Sequence, residues 1–274
     1  MLLMKPNEIS IGLGSNIHPD AQIQVRNKLV LGDHAYIGER VKIMCDDFSL
    51  GHYSKIHQDA FCYGRGGRGQ LHIGQACWIA GHVQLDCEGG LYIGDGVTIG
   101  AQTLVWTHAQ LGDYVEGAPD IKRRPVFFSR DSWIGSNCVV TCSLPERAVL
   151  VAGSSAIRQD LIKPNRIHRG SPATPMELNH MAELTNEQKK SRLMDLLDEF
   201  YQKYPAYRGL LCPAIGVNDR NGIWIDVASR TYTQESHPAL VLFLKMMVPR
   251  IRMLMDGTHA LIPFDREVPP NTGA

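Results

Sequence analysis

His108, in the stretch WTHAQLGDYVEG, is the side chain of this sequence best suited to proton chemistry. An imidazole titrates near neutral pH, so it can take a proton from an attacking hydroxyl or amine and then return it. Asp113 and Glu116 follow in the same stretch as carboxylates that could orient such a ring or simply sit in solvent. His52 and His57, in LGHYSKIHQ, have side chains of the metal-ligating type. Arg65 and Arg68, in GRGGRG, put cations on a glycine-rich turn that could meet a phosphate.

The elements that must hold these residues follow from a spacing of six. Apolar side chains recur in triplets: Ile11, Ile17, Ile23; Leu31, Ile37, Ile43; Leu50, Ile56, Cys62; Ile73, Ile79, Leu85; Ile93, Ile99, Val105; Phe128, Ile134, Val140; and Leu144, Leu150, Ala156. The step within a triplet is six, and irregular spacing comes only after its third member. A helix repeats at 3.6 and a strand at 2, so neither explains six. A parallel β-helix with three short strands per coil does explain it, with all insertions at one corner. Gly12, Gly32, Gly38, Gly51, Gly74, Gly94, Gly100 and Gly135 follow the apolar positions and are expected to relieve the backbone at the turns. The largest insertion, residues 106–127, begins just before His108, and a long loop in so economical a repeat is where function is expected.

The repeats YIGERV, YIGDGV and TIGAQT resemble the hexapeptide-repeat family, and the resemblance implies a left-handed parallel β-helix over residues 11–175. The order YIGDGVTIGAQTLVWTH, loop, RPVFFSRDSWIGSNCVV, AVLVAGSSAI, IKPNRIHRGSPA is similar to the hexapeptide-repeat O-acetyltransferases of glycans and antibiotics. That likeness implies acetyl-CoA as acyl donor, a sugar or glycan hydroxyl as acceptor, with an amino sugar as the nearest variant, and a homotrimer whose neighbouring subunit completes the site. It makes His108 the general base, puts Ser136, Ala152 and Gly153 along the pantetheine arm, and sets Arg158, Lys163 and Arg169 near the CoA phosphates. His82, Asp86 and Glu88, in GHVQLDCEGG, fall on the coil before the loop and are the acceptor-pocket candidates. Gln110 and Thr174 stand where the family often has its histidine and a basic residue, which motivates the alternative of a noncatalytic scaffold. His52 and His57 also resemble the zinc pair of the γ-class carbonic anhydrases, but the position of the third ligand is Gly38. His18 lies two coils from His57, roughly 9–10 Å by strand spacing. No metal is therefore expected.

The remaining text bounds the protein. There are 28 Lys+Arg against 28 Asp+Glu and a formal net charge of +0, which leaves no basic footprint for nucleic acid. The seven cysteines include no CxxC pair and read as reduced thiols of a cytoplasmic protein. The start of the chain lacks a signal-peptide pattern, and the apolar stretch 238–255 carries Lys245, Arg250 and Arg252, so no membrane span is expected. Residues 1–10 read as a lead-in and 176–274 as a small α/β module. In that module Thr185 and Gln188 announce a helix to about Tyr204. Two strands then meet at a turn at Asn221-Gly222, and a helix from Pro238 is broken near Pro249.

Overall fold

The computed structural model describes residues 6–178, 181–233, 237–247 and 250–255. Three columns of inward side chains run through parallel strands. In the first, Ile11 stands beside Leu31, Leu50, Ile73, Ile93 and Phe128 in turn, and a bridge links Phe128 to Leu144. In the second, Ile17, Ile37, Ile56, Ile79, Ile99, Ile134 and Leu150 are in register. In the third, Ile23, Ile43, Cys62, Leu85, Val105, Val140 and Ala156 are. Each triplet of the sequence is therefore one coil of a three-faced parallel β-helix. From Ile23 onward these side chains are at most 2% exposed, whereas Ile11, on the first coil, is 55% exposed. The coil thus buries its apolar side chains against the coils on either side, and among the described residues the first coil has such a neighbour on one side.

The repeat glycines serve a different purpose from the one expected. None of the eight has a positive φ; that conformation falls two residues later, at His34, Arg40, Tyr53, Ala76, Gln102 and Asn137 among others. What the glycines provide is space. A Cβ on Gly32 would lie 2.5 Å from His52 N, and one on Gly100 would lie 2.4 Å from Ser136 N. Coil backbones approach so closely at this position that no side chain fits, while the turn itself is left to residues that tolerate the left-handed region at some cost.

The chain divides into two compact units, the second within Met181–His259. There the helix Asn186–Lys203 opens on a capping box, with Gln188 N donating to Thr185 Oγ1 and Thr185 N to Gln188 Oε1. It buries Leu193, Leu197, Phe200 and Tyr201, and the Phe200 ring meets Phe243 of the helix Pro238–Met247 edge-on at 5.5 Å. Strands Leu211–Ala214 and Ile223–Asp226 pair in parallel and so do not form the hairpin expected around Asn221-Gly222. Buried Asp226 holds the connection in place: its Oδ1 accepts from Gly216 N and Ala228 N, and its Oδ2 pairs with Arg220, all beside the end of the strand Leu211–Ala214. The helix Pro238–Met247 is followed by a strand at Leu254–Met255 that pairs in parallel with Thr231–Tyr232, so among the described residues of this sheet the antiparallel pair is Ile223–Asp226 against Thr231–Tyr232. The break expected at Pro249 lies outside the described residues. No described helix is long and apolar enough to cross a membrane.

Candidate active site

Asp86 follows Leu85 of the third column, so strand alternation turns its side chain away from the core, yet it is 0% exposed. The chain itself covers it. Asp86 Oδ2 accepts from Thr107 N at 2.7 Å, Thr107 Oγ1 at 2.7 Å, His108 N at 3.1 Å and His108 Nδ1 at 2.8 Å, and Oδ1 accepts from Glu88 N at 3.1 Å. The outgoing chain at Thr107 and the returning chain at Arg124 cross over Gly89, where a Cβ would meet Thr107 O at 2.4 Å and Arg124 O at 2.6 Å. Gly89 N in turn donates to Thr107 Oγ1. A glycine is thus what lets the loop leave the coil directly above Asp86.

The loop begins as a two-stranded arm in which His108 stands opposite Arg123 and Ala109 opposite Lys122. Beyond it, Leu111, Tyr114 and Val115 are 70%, 71% and 87% exposed. All other contacts of Asp86 Oδ2 are with donors, so the bond to the ring is read as Nδ1–H donating, which leaves the lone pair on Nε2. Nε2 has no hydrogen-bond partner among the described residues. Trp106 meets the His108 ring edge-on at 5.9 Å, and Tyr63 meets Trp106 in the same way at 6.4 Å. Burial, and then the charges of Asp86, Cys87 and Glu88, push the Tyr63 phenol above its ordinary pKa.

Of the acceptor-pocket candidates, Asp86 and Glu88 therefore gather on His108, whereas His82 is exposed and stands 3.8 Å from Asp59. Neither loop carboxylate is paired with the ring in this arrangement, and Asp113 caps its own turn by accepting from Val115 N. The orienting group was legible in the register, since Asp86 lies one coil from the start of the loop. Ser136, Ala152 and Gly153 come together on adjacent coils, with Gly153 N donating to Ser136 O at 2.9 Å. Arg158 is engaged bidentately by Asp160, at 3.1 and 2.5 Å. Lys163 N donates to His168 Nε2, and Arg169 stands opposite Thr174 in a short antiparallel pair.

Among the described residues, Asp86, Glu88 and His108 are the group of three whose atoms lie close enough to share a metal ion. Its central oxygen, Asp86 Oδ2, is already ringed by four donor atoms. His52 and His57 do not join such a group. His52 Nδ1 accepts from Asp33 N at 2.8 Å, and the His57 ring packs 4.2 Å from that of Trp78.

Comparison with known proteins finds similarity to acetyltransferases. The chain is 30% identical over 122 residues to the putative colanic acid biosynthesis acetyltransferase WcaF of Escherichia coli and to that of Shigella flexneri. The match covers 40% of this chain and 66% of those relatives, so the chain spans just under two thirds of their length. Over those 122 residues the chain is homologous to these two relatives. Similar solved structures include a hexapeptide-repeat-containing acetyltransferase from Vibrio cholerae complexed with acetyl-CoA, at 19% identity and a TM-score of 0.35, covering 64% of this chain and 73% of that one. A maltose O-acetyltransferase from Clostridium difficile has 17% identity and a TM-score of 0.32, covering 63% and 70%. No protein-family model matches the sequence.

Proposed function

We propose that this protein is an acetyl-CoA-dependent O-acetyltransferase acting on a hydroxyl of a sugar or glycan precursor, with His108 as the general base. The observation that carries the reading is the pair of His108 and buried Asp86, with Nε2 left free at the foot of the loop. The similarity to the putative colanic acid biosynthesis acetyltransferase supports the reaction class and a glycan precursor as acceptor. In this reading His108 Nε2 takes the hydroxyl proton as the acceptor oxygen adds to the thioester carbonyl carbon. The tetrahedral adduct then expels the CoA thiolate, which receives the proton from the imidazolium, leaving an acetyl ester and free CoA. Asp86 holds the ring in the required tautomer and offsets the charge that develops on it. Ser136, Ala152 and Gly153 would flank the pantetheine arm, and Lys163 and Arg169, together with Arg158 once it exchanges Asp160 for phosphate, would meet the CoA phosphates. The same reading makes the β-helix left-handed and the protein a cytoplasmic homotrimer in which a neighbouring subunit supplies the second wall of the site.

Calorimetric titration with acetyl-CoA, using desulfo-CoA and dephospho-CoA as controls, tests the reading first. Saturable binding near one site per chain is expected. Thiol release in the presence of glycoside acceptors should then vanish in His108→Ala while binding persists. No binding at millimolar acetyl-CoA, or an unchanged rate in His108→Ala, would overturn it.

A further inference from the structure

Glu88 is only 5% exposed at its side chain, and its two oxygens have different surroundings. Oε1 accepts from Arg123 Nε at 2.7 Å, while Oε2 is buried, has no hydrogen-bond partner, and stands 3.6 Å from His108 Nδ1. A buried carboxylate oxygen without a donor is costly and calls for a reason, a catalytic role being one. Arg123 is the residue opposite His108 in the arm of the loop, so one short pair of strands carries both the ring and the cation that fixes Glu88 beside it.

We infer that Glu88 is a positioning residue for the base: it places a second negative charge against the His108 ring, and Arg123 holds it in that place. This rests on the reading of His108 as the base. With a neutral ring, Asp86, Glu88 and Arg123 leave the cluster one charge negative. When Nε2 takes a proton the cluster becomes neutral, and Oε2 faces the ring just as positive charge arrives. Without Arg123, an unpaired buried carboxylate turns outward to water, and the ring loses that charge.

The test needs no acceptor. Diethyl pyrocarbonate acylates an imidazole nitrogen and passes through a cationic ring, so the rate at His108, followed by peptide mass spectrometry, reads the same charge development. His18 and His82 on the same molecules serve as references. Glu88→Gln should slow modification of His108 by about tenfold, a value between the water and protein-surface limits for one charge pair about 4 Å apart, with the reference rates unchanged. Arg123→Ala should match it, the double variant should be no slower than either, and Arg123→Lys should recover at least half of the loss. A purely structural role would leave Arg123→Lys as slow as Arg123→Ala. A rate in Glu88→Gln within twofold of the parent would overturn the inference, whatever the acetyl-CoA titration gives; absence of acetyl-CoA binding would instead overturn the transferase reading.

Discussion

His108 Nδ1 lies 2.8 Å from Asp86 Oδ2, and the two residues belong to consecutive coils. The contact closes the place where the chain leaves the β-helix and re-enters it, so the loop is tied to the rigid coil through the same oxygen that orients the ring. The ring is thus held by a strand of the coil, and the exposed tip of the loop is free to meet other groups.

Asp86→Asn is expected to separate orientation from binding. An amide presents a donor where Oδ2 now meets only donors, so the ring loses its partner and can turn or change tautomer. Turnover should fall at least about 100-fold, in the range seen when the carboxylate of a catalytic His pair is replaced. The Kd for acetyl-CoA should remain within about threefold, because Asp86 lies two coils from the proposed pantetheine contact Ser136 and three from Ala152 and Gly153. Turnover within tenfold of the parent would show that Asp86 is only part of the loop anchor.

The glycine positions predict opposite results for neighbouring substitutions. Gly100→Ala forces a Cβ to 2.4 Å from Ser136 N, a backbone atom that cannot rotate away. It should destabilise the coil by about 1–3 kcal/mol, the scale of overpacking, and lower the Tm accordingly. Gln102→Gly removes a Cβ from a residue at φ 59°, where glycine is at ease. It should change stability by less than about 1 kcal/mol. Paired thermal melts decide the matter, and equal losses in the two variants would refute the close-packing account.

The second unit gives a packing prediction of its own. Phe200 is 0% exposed and contacts the rings of Tyr201, Tyr204, Tyr207 and Phe243. Phe200→Ala leaves a cavity among aromatic side chains and should cost about 3–5 kcal/mol. Hydrogen exchange in the helix Asn186–Lys203 should accelerate to match. Protection unchanged in that helix would mean that the rings close over the gap.

The β-helix was legible because an inward side chain every six residues is a one-dimensional signal: Ile37 must be buried whatever its neighbours, and it is 0% exposed. The role of the glycines was misread because a spacing says where a small residue recurs and not which distant backbone comes near it, as Ser136 does to Gly100. His108 stood out by its type and by the loop after it. Asp86 as its partner required putting the register beside the loop, whereas Asp113 and Glu116 were nearer only in sequence. In the second unit the connection between Leu211–Ala214 and Ile223–Asp226 is held by buried Asp226, whose four hydrogen-bonded side-chain partners no periodicity records.

Acid should loosen this fold through its buried histidines. His168 is 1% exposed; its Nε2 accepts from Lys163 N, and its Nδ1 faces Val149 O as a donor. Burial lowers its pKa, against the pull of the carbonyls of Val149 and Arg166, because a buried ring loses the hydration that would stabilise its charged form. His52, His57 and His72 are lowered by burial as well. A histidine depressed in the folded state contributes its full share of stability above its unfolded pKa of about 6.5, and that share is lost as pH falls through the lower folded value, since the unfolded chain then binds more protons. The Tm should therefore fall as pH is lowered from about 7.5 toward 5. In His168→Gln, whose amide can both donate and accept, the Tm should be lower at pH 7.5 and its decline with acid shallower. A decline as steep in that variant as in the parent would assign the acid sensitivity to the other three rings.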